Sequence, residues 1–188
     1  VETEARLSSG SGDQEVRGLK GPVIAKAGSG DVQIEDIEGD VDVAIGSGDI
    51  VVAGVRSSVS ADVGRGDIDL RGITGRVSLR AGSGDVALHE LGGSTDVSIG
   101  HGDISLESPV ADGAEWVFKV GSGDVSLLLP SDSEFKLRAV SVSGEIEADF
   151  GLEPSGRMGM RVEGQVGENP TSGINVKTAH GDIEIKAR

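Results

Sequence analysis

A single parallel β-solenoid, all-β and about 18 residues per coil, is the fold this sequence predicts. Three observations predict it. First, a Gly-Ser-Gly-Asp tetrapeptide or close variant recurs along the chain, its acid falling at Asp13, Asp31, Asp49, Asp67, Asp85, Asp103, Asp124, Glu145 and Asp182. The first five intervals are 18 residues, the next two 21, and the last 37, about two periods. Second, when the copies are aligned on the acid, apolar residues fall into columns with a period of two, the signature of a half-buried strand. Third, no segment carries a 3.6-residue period, and an 18-residue unit is too short for two strands and a crossover helix.

The elements follow in order along each unit. The strand before the corner places apolar residues eight, six and four positions ahead of the acid, as in Val41, Val43, Ile45 and in Val77, Leu79, Ala81. Trp116, Phe118 and Val120 fill the same slots, which makes the lone Trp a core residue and not a ligand platform. The strand after the corner points inward at one position past the acid (Ile50, Ile68, Val86), at three (Val52, Leu70, Leu88) and at six (Val55, Ile73, Leu91). Between the two strands lies a sharp corner flanked by glycines: Gly28 and Gly30, Gly46 and Gly48, Gly82 and Gly84. Positive φ, or close approach of neighbouring coils, excludes a Cβ there. The corner acids, among them Asp49, Asp67 and Asp85, are expected to accept hydrogen bonds from N–H groups of their own turn.

Nine to ten rungs are expected in one domain spanning residues 1–188. Residues 1–129 read as regular rungs, 130–173 as degenerate rungs with insertions, and 174–188 as the final rung. Pro130 to Glu134 is an insertion loop, and Glu163-Gly164-Gln165-Val166 is a degenerate copy of the corner. Residues 149–173 hold Pro154, Pro170 and an alternation through Met158, Met160 and Val162, and read as an irregular cap, because free solenoid edges need covering.

Composition narrows the function. Lys and Arg number 17 against 32 Asp and Glu, a net charge of −15. Nucleic-acid phosphates and anionic membrane surfaces need clustered cations, so neither is an expected partner. There is no cysteine, hence no disulfide framework and no thiol nucleophile. No apolar run is long enough to insert in a bilayer. No signal-peptide pattern opens the chain, and Val1 starts mid-pattern, as in a processed or excised piece.

The acidic ladder is the feature with possible chemistry. Carboxylates one rung apart repel by about 1 kcal/mol in water and by more at a lower dielectric, so something must offset them. A row of Ca²⁺ sites would use Asp31, Asp49, Asp67, Asp85 and Asp103. The Ca²⁺ β-roll pattern G-G-x-G-x-D is not matched, and each rung offers one carboxylate where Ca²⁺ prefers several. Solvated acids held by backbone N–H groups are the simpler reading, and no metal or cofactor is expected. Arg65-Gly66-Asp67 spells an integrin-type tripeptide only because Arg65 occupies the Ser29, Ser47 and Ser83 slot. His101 and His180 occupy that slot on separate rungs and His89 lies on an outward position, so no triad or zinc site forms.

Outward positions divide by sign. After the corner, Glu15, Glu35, Asp69, Glu107, Glu147, Asp149 and Glu184 stand against Arg17, Arg71 and Lys186. Before it, Arg6, Lys26, Arg80, Lys119, Arg138 and Lys177 stand against Asp42, Asp62 and Asp96. The acidic face, with Glu15, Glu35, Asp69, Glu107, Glu147 and Glu184, is a candidate surface for a cationic partner, and the basic face of another copy could supply it.

The G-S-G-D-[VI]-x-[LIV] unit and the tail Thr178-Ala179-His180-Gly181-Asp182-Ile183-Glu184-Ile185 resemble the bacterial and archaeal adhesin-like family of β-strand-repeat domains of unknown function. The resemblance covers essentially the whole chain. It implies similarity to head domains of surface adhesins, whose relatives often sit beside membrane segments or envelope-stress modules, while others are plain soluble chains. No catalytic residues carry over. Gln14 in a core slot, Glu145 in place of Asp and the Gln165 copy depart from the pattern. The expected function is therefore a non-catalytic scaffold or binding module of the cell envelope or an extracytoplasmic space, with a cytoplasmic location as the alternative. Its partner would be a protein or surface polymer, or a second copy of the chain. The alternative functions are a Ca²⁺-binding β-roll and a carbohydrate-active β-helix enzyme.

Overall fold

The computed structural model describes residues 4–152 and 161–188, all of which form strands, turns and corners without a helix. Pro154, Met158 and Met160 of the expected cap lie outside the described residues. Two sheets face each other. Among the described residues one has ten strands, in spatial order β1 (Ala5–Ser11), β3 (Val23–Ser29), β5 (Val41–Ser47), β7 (Val59–Arg65), β9 (Val77–Ser83), β11 (Thr95–His101), β13 (Glu115–Ser122), β18 (Gly173–His180), β15 (Phe135–Ser143) and β17 (Arg161–Val166). The other has nine, β16 (Ile146–Ala148), β19 (Ile183–Ala187), β14 (Val125–Leu129), β12 (Ile104–Glu107), β10 (Val86–Leu91), β8 (Ile68–Ile73), β6 (Ile50–Val55), β4 (Val32–Ile37) and β2 (Gln14–Leu19). Among the described residues every pairing is parallel except β15–β17. Seven coils stack in chain order from β1 (Ala5–Ser11) and β2 (Gln14–Leu19) to β13 (Glu115–Ser122) and β14 (Val125–Leu129). With the two that follow, the stack has nine coils.

The register is the one the columns predict. Ile50 pairs with Ile68 and Ile68 with Val86, and none of the three side chains is more than 1% exposed. Trp116 and Phe118 are fully buried in edge contact, their ring centroids 6.5 Å apart, and the indole N–H donates to the Gly93 carbonyl of the coil below at 3.0 Å. Stacking small aliphatic columns fills the narrow space between the sheets, so few aromatics are needed.

The strand after the corner hides one feature that its sequence implies. Residues three and six past the acid, such as Ile34 and Ile37, are both buried, although three steps along a strand reverse the face. A left-handed residue at the fifth position restores the phase: Gly18, Gly54 and Gly72 at φ between 63° and 67°, but Asp36 at 56° and Glu90 at 54°. The two non-glycine residues carry a local cost that glycine would remove.

The far end departs from chain order. β15 (Phe135–Ser143) and β16 (Ile146–Ala148) form the outermost coil. The last coil in sequence, β18 (Gly173–His180) and β19 (Ile183–Ala187), is inserted between it and the seventh coil. The expectation that 174–188 closes the rod is thereby corrected. The 163–166 segment is also not a rung: it belongs to β17 (Arg161–Val166), which runs antiparallel along the free edge of β15. Phe135, buried in the outer coil, packs edge-on to Phe150 at 5.3 Å.

Two outcomes test this packing. Ile68→Asp should abolish cooperative folding, because it places an unpaired charge mid-stack; a retained thermal transition would contradict the buried column. Glu90→Gly should raise stability by about 0.5–1 kcal/mol in denaturant titration, since it relieves the left-handed φ.

Candidate functional site

The corner is built by contacts between coils. Each Asp presents Oδ1 to the backbone N–H of the acid in the next coil: Asp31 N–H to Asp13 at 3.0 Å, Asp49 to Asp31 at 2.9 Å, Asp67 to Asp49 at 2.8 Å and Asp85 to Asp67 at 2.9 Å. The series continues through Asp103 and Asp124 to Asp182, which donates to Asp124 at 2.7 Å, and ends when Glu145 donates to Asp182 at 2.7 Å. The acceptor role expected of these acids is present, but the donor comes from the neighbouring rung and not from the same turn. A charge-assisted N–H···O bond per step offsets the repulsion between stacked carboxylates.

Both corner glycines lie against the backbone of the coil below, and one of them has a second reason. The one directly before the acid has positive φ, 122° at Gly30, 135° at Gly48 and 133° at Gly84. The one three before it, at Gly28 and Gly46, meets the coil below, so that a Cβ would lie 2.5 and 2.6 Å from the carbonyl oxygens of Gly10 and Gly28. Gly82 repeats that contact, 2.5 Å from the Gly64 oxygen. Gly10, in the first coil, has nothing within 4 Å.

At the opposite corner Asp40 accepts a short hydrogen bond from the Ser57 hydroxyl and one from the Ser58 N–H at 3.1 Å. These bonds hold its carboxyl below the usual carboxylate range. A lowered carboxyl contributes stability above its unfolded-state pKa, and the contribution is lost as pH falls through the folded value.

The acidic face is less open than its composition indicates. Arg17 pairs with Glu15 at 2.7 Å and lies 3.3 Å from Glu35. Arg71 grips Asp69 through Nε at 2.8 Å and Nη2 at 2.5 Å, and this hydrogen bonding with the adjoining charge raises the arginine pKa. Lys186 contacts Glu184, and Arg188 reaches Glu107 at 2.5 Å. Glu147 stands beside Glu184 in register. The ladder is different: among the described residues none of its carboxylates enters an ion pair.

The ladder borders a shallow groove of about 430 Å³ on the outer face of the second sheet. Asp49, Asp67, Asp85 and Asp103 form one wall, and Val51 and Ala87 lie in it with Asp69 and Ser105. Val51 is 38% exposed, one of the few large apolar side chains open to solvent. No cation lines the groove. The repeat marks the wall but not the groove, because nothing in the linear pattern singles out Val51, Ala87 and Ser105 among the outward positions.

The candidate metal ligands Asp31, Asp49, Asp67, Asp85 and Asp103 stand one per coil, and among the described residues no three His, Cys, Asp or Glu side chains converge. His101 and His180 flank Ser122 in the same slot, two coils apart. His89 lies 3.9 Å from Glu107. Arg65 sits in register between Ser47 and Ser83, as the repeat requires.

The family described as Toastrack DUF4097 matches residues 2–88 and 39–186, which together span nearly the whole chain. No curated protein and no solved structure matches it.

Four substitutions separate the roles at the corner. Asp67→Asn should keep the fold at or above wild-type stability, because an amide oxygen still accepts the Asp85 N–H and a repulsive charge is gone. Asp67→Ala should cost about 1 kcal/mol. Gly84→Ala should cost about 2–4 kcal/mol, whereas Gly10→Ala should be nearly neutral in the same melting experiment.

Proposed function

The chain belongs to the Toastrack DUF4097 family, and from that premise we propose that it is a non-catalytic β-solenoid scaffold that binds extended, cationic protein segments along its acidic corner. The observation that carries this reading is the groove beside the ladder. It offers a row of carboxylates spaced by one coil, each with one oxygen outside the ladder bond, next to exposed Val51 and half-buried Ala87. An extended peptide alternating basic and small apolar residues turns its cations towards the carboxylate wall and its apolar side chains towards Val51 and Ala87, since its side chains alternate between two directions. A stripe of like charge attracts such a segment over a distance and loses that attraction as salt rises.

An adhesin-like role at the cell envelope is the finer form of this proposal. It is supported by the resemblance to surface-adhesin head domains and by the charge, which suits a protein partner or a cationic polymer better than nucleic acid. Association of rods through the opposite face is the second form, supported by Lys26, Arg80, Lys119 and Lys177 on outward positions there.

The test uses a labelled peptide of alternating Lys and Val followed by fluorescence anisotropy. Binding should be tightest at low ionic strength and weaken steeply towards 0.5 M salt. The double variant Asp67→Asn/Asp85→Asn keeps both acceptor oxygens and should weaken binding at least about fivefold, while Glu147→Gln, outside the groove, should not. Binding that ignores both salt and the double variant would refute the groove as the site.

A further inference from the structure

At the inserted coil the order of the stack departs from the order of the chain. We infer that the outermost coil, β15–β16, has two seats: one on the inserted coil β18–β19, as observed, and one directly on the seventh coil, β13–β14, taken when β18–β19 withdraws.

Both seats offer the same corner bonds. The upper rim of the seventh coil presents Asp124 Oδ1 and the Gly123 carbonyl, and the inserted coil uses them through the Asp182 N–H at 2.7 Å and the Thr178 hydroxyl at 3.2 Å. The upper rim of the inserted coil presents Asp182 Oδ1 and the Gly181 carbonyl, and the outermost coil uses those through the Glu145 N–H at 2.7 Å and the Ser141 hydroxyl at 2.9 Å. Glu145 and Ser141 would make identical bonds to Asp124 and Gly123. The connection permits it: Asp103 and Asp124 lie 21 residues apart on adjoining coils, and Asp124 and Glu145 also lie 21 apart although one coil now separates them.

The inserted coil also bears costs that the direct seat lacks. Lys177 stands directly opposite Lys119, a like-charge pair, where the direct seat would put Val140. Asn175 Oδ1 is out of water without a hydrogen-bond partner. Holding the inserted coil in place are latches at both ends. Ser172 donates to the Ala111 carbonyl at 2.8 Å and accepts from the Gly113 N–H at 3.1 Å, and Arg188 reaches Glu107.

The fold thus contains a strand pair that can leave without disassembling the rod, freeing 173–188 as an extended segment. Ordinary fraying would open the outermost β15–β17 first; withdrawal opens β18–β19 first. Hydrogen exchange on the full wild-type chain separates the two: β18–β19 amides should exchange about tenfold faster than those of β15. Slower exchange in β18–β19 than in β15 would overturn the inference. The chain has no cysteine, so introduced pairs report each seat independently. Lys119→Cys/Lys177→Cys should form a disulfide in the inserted state. Lys119→Cys/Val140→Cys cannot form one there, because two strand spacings place the Cα atoms about 9.6 Å apart. Its disulfide should nonetheless accumulate within single chains, and several-fold faster when Ser172→Ala weakens the latch. A chain in which only the 119–177 bond forms, with or without Ser172→Ala, has one seat and refutes the proposal.

Discussion

Parallel strands stacked one spacing apart leave no room for a side chain between one coil's corner and the next, and most of this molecule follows from that constraint. Gly28 and Gly46 are glycine because the carbonyl below would meet a Cβ at about 2.5 Å. Having lost its side chains on the axis, the corner satisfies its backbone with the one residue that can reach across, an aspartate whose Oδ1 receives the next coil's N–H. The same spacing lines up Ile50, Ile68 and Val86 as one buried column, so apolar burial and polar satisfaction share a period and reinforce one another.

The charge that results is not spread evenly. Outward strand positions carry acids and bases two residues apart, on the same side of the same strand, and they neutralise each other locally, as Glu15 does with Arg17 and Asp69 with Arg71. The ladder cannot do this, because each acid's neighbours in its column are further acids. The field of the rod is therefore concentrated along one corner, and the exposed apolar surface of Val51 lies next to it. A net charge of −15 describes the solubility of the molecule; the arrangement determines which partners it can attract.

The fold class, the columns, the glycine corner and the core position of Trp116 were legible because each depends on local period alone. The left-handed residues at Asp36 and Glu90 were legible in principle: two inward positions three residues apart demand a phase change. The order of the last coils was not. Most copies present the same donors, acceptors and inward triplets, so the repeat by itself does not distinguish a neighbour in sequence from a neighbour in space; the signal lies only in departures such as Val142 and Glu145. The groove escaped notice for a related reason, since it is formed by residues from four coils whose outward side chains are individually unremarkable.

The ladder also has a direction, and this gives the degenerate copies a meaning. Each coil offers a carboxylate to the coil above and an N–H to the coil below. At the top of the stack the N–H is still needed but the carboxylate has no recipient. Glu145 stands at that position: its N–H reaches Asp182, and among the described residues no N–H reaches its own side chain. A longer acid is tolerated there because the precise reach of Asp no longer matters. Val142, in the slot held by Gly28 and Gly46, lies in this same outermost coil and is 62% exposed. The departures from the repeat that fall mid-sequence are thus gathered at the end of the rod, and they mark the end of the stack where the order of the chain does not.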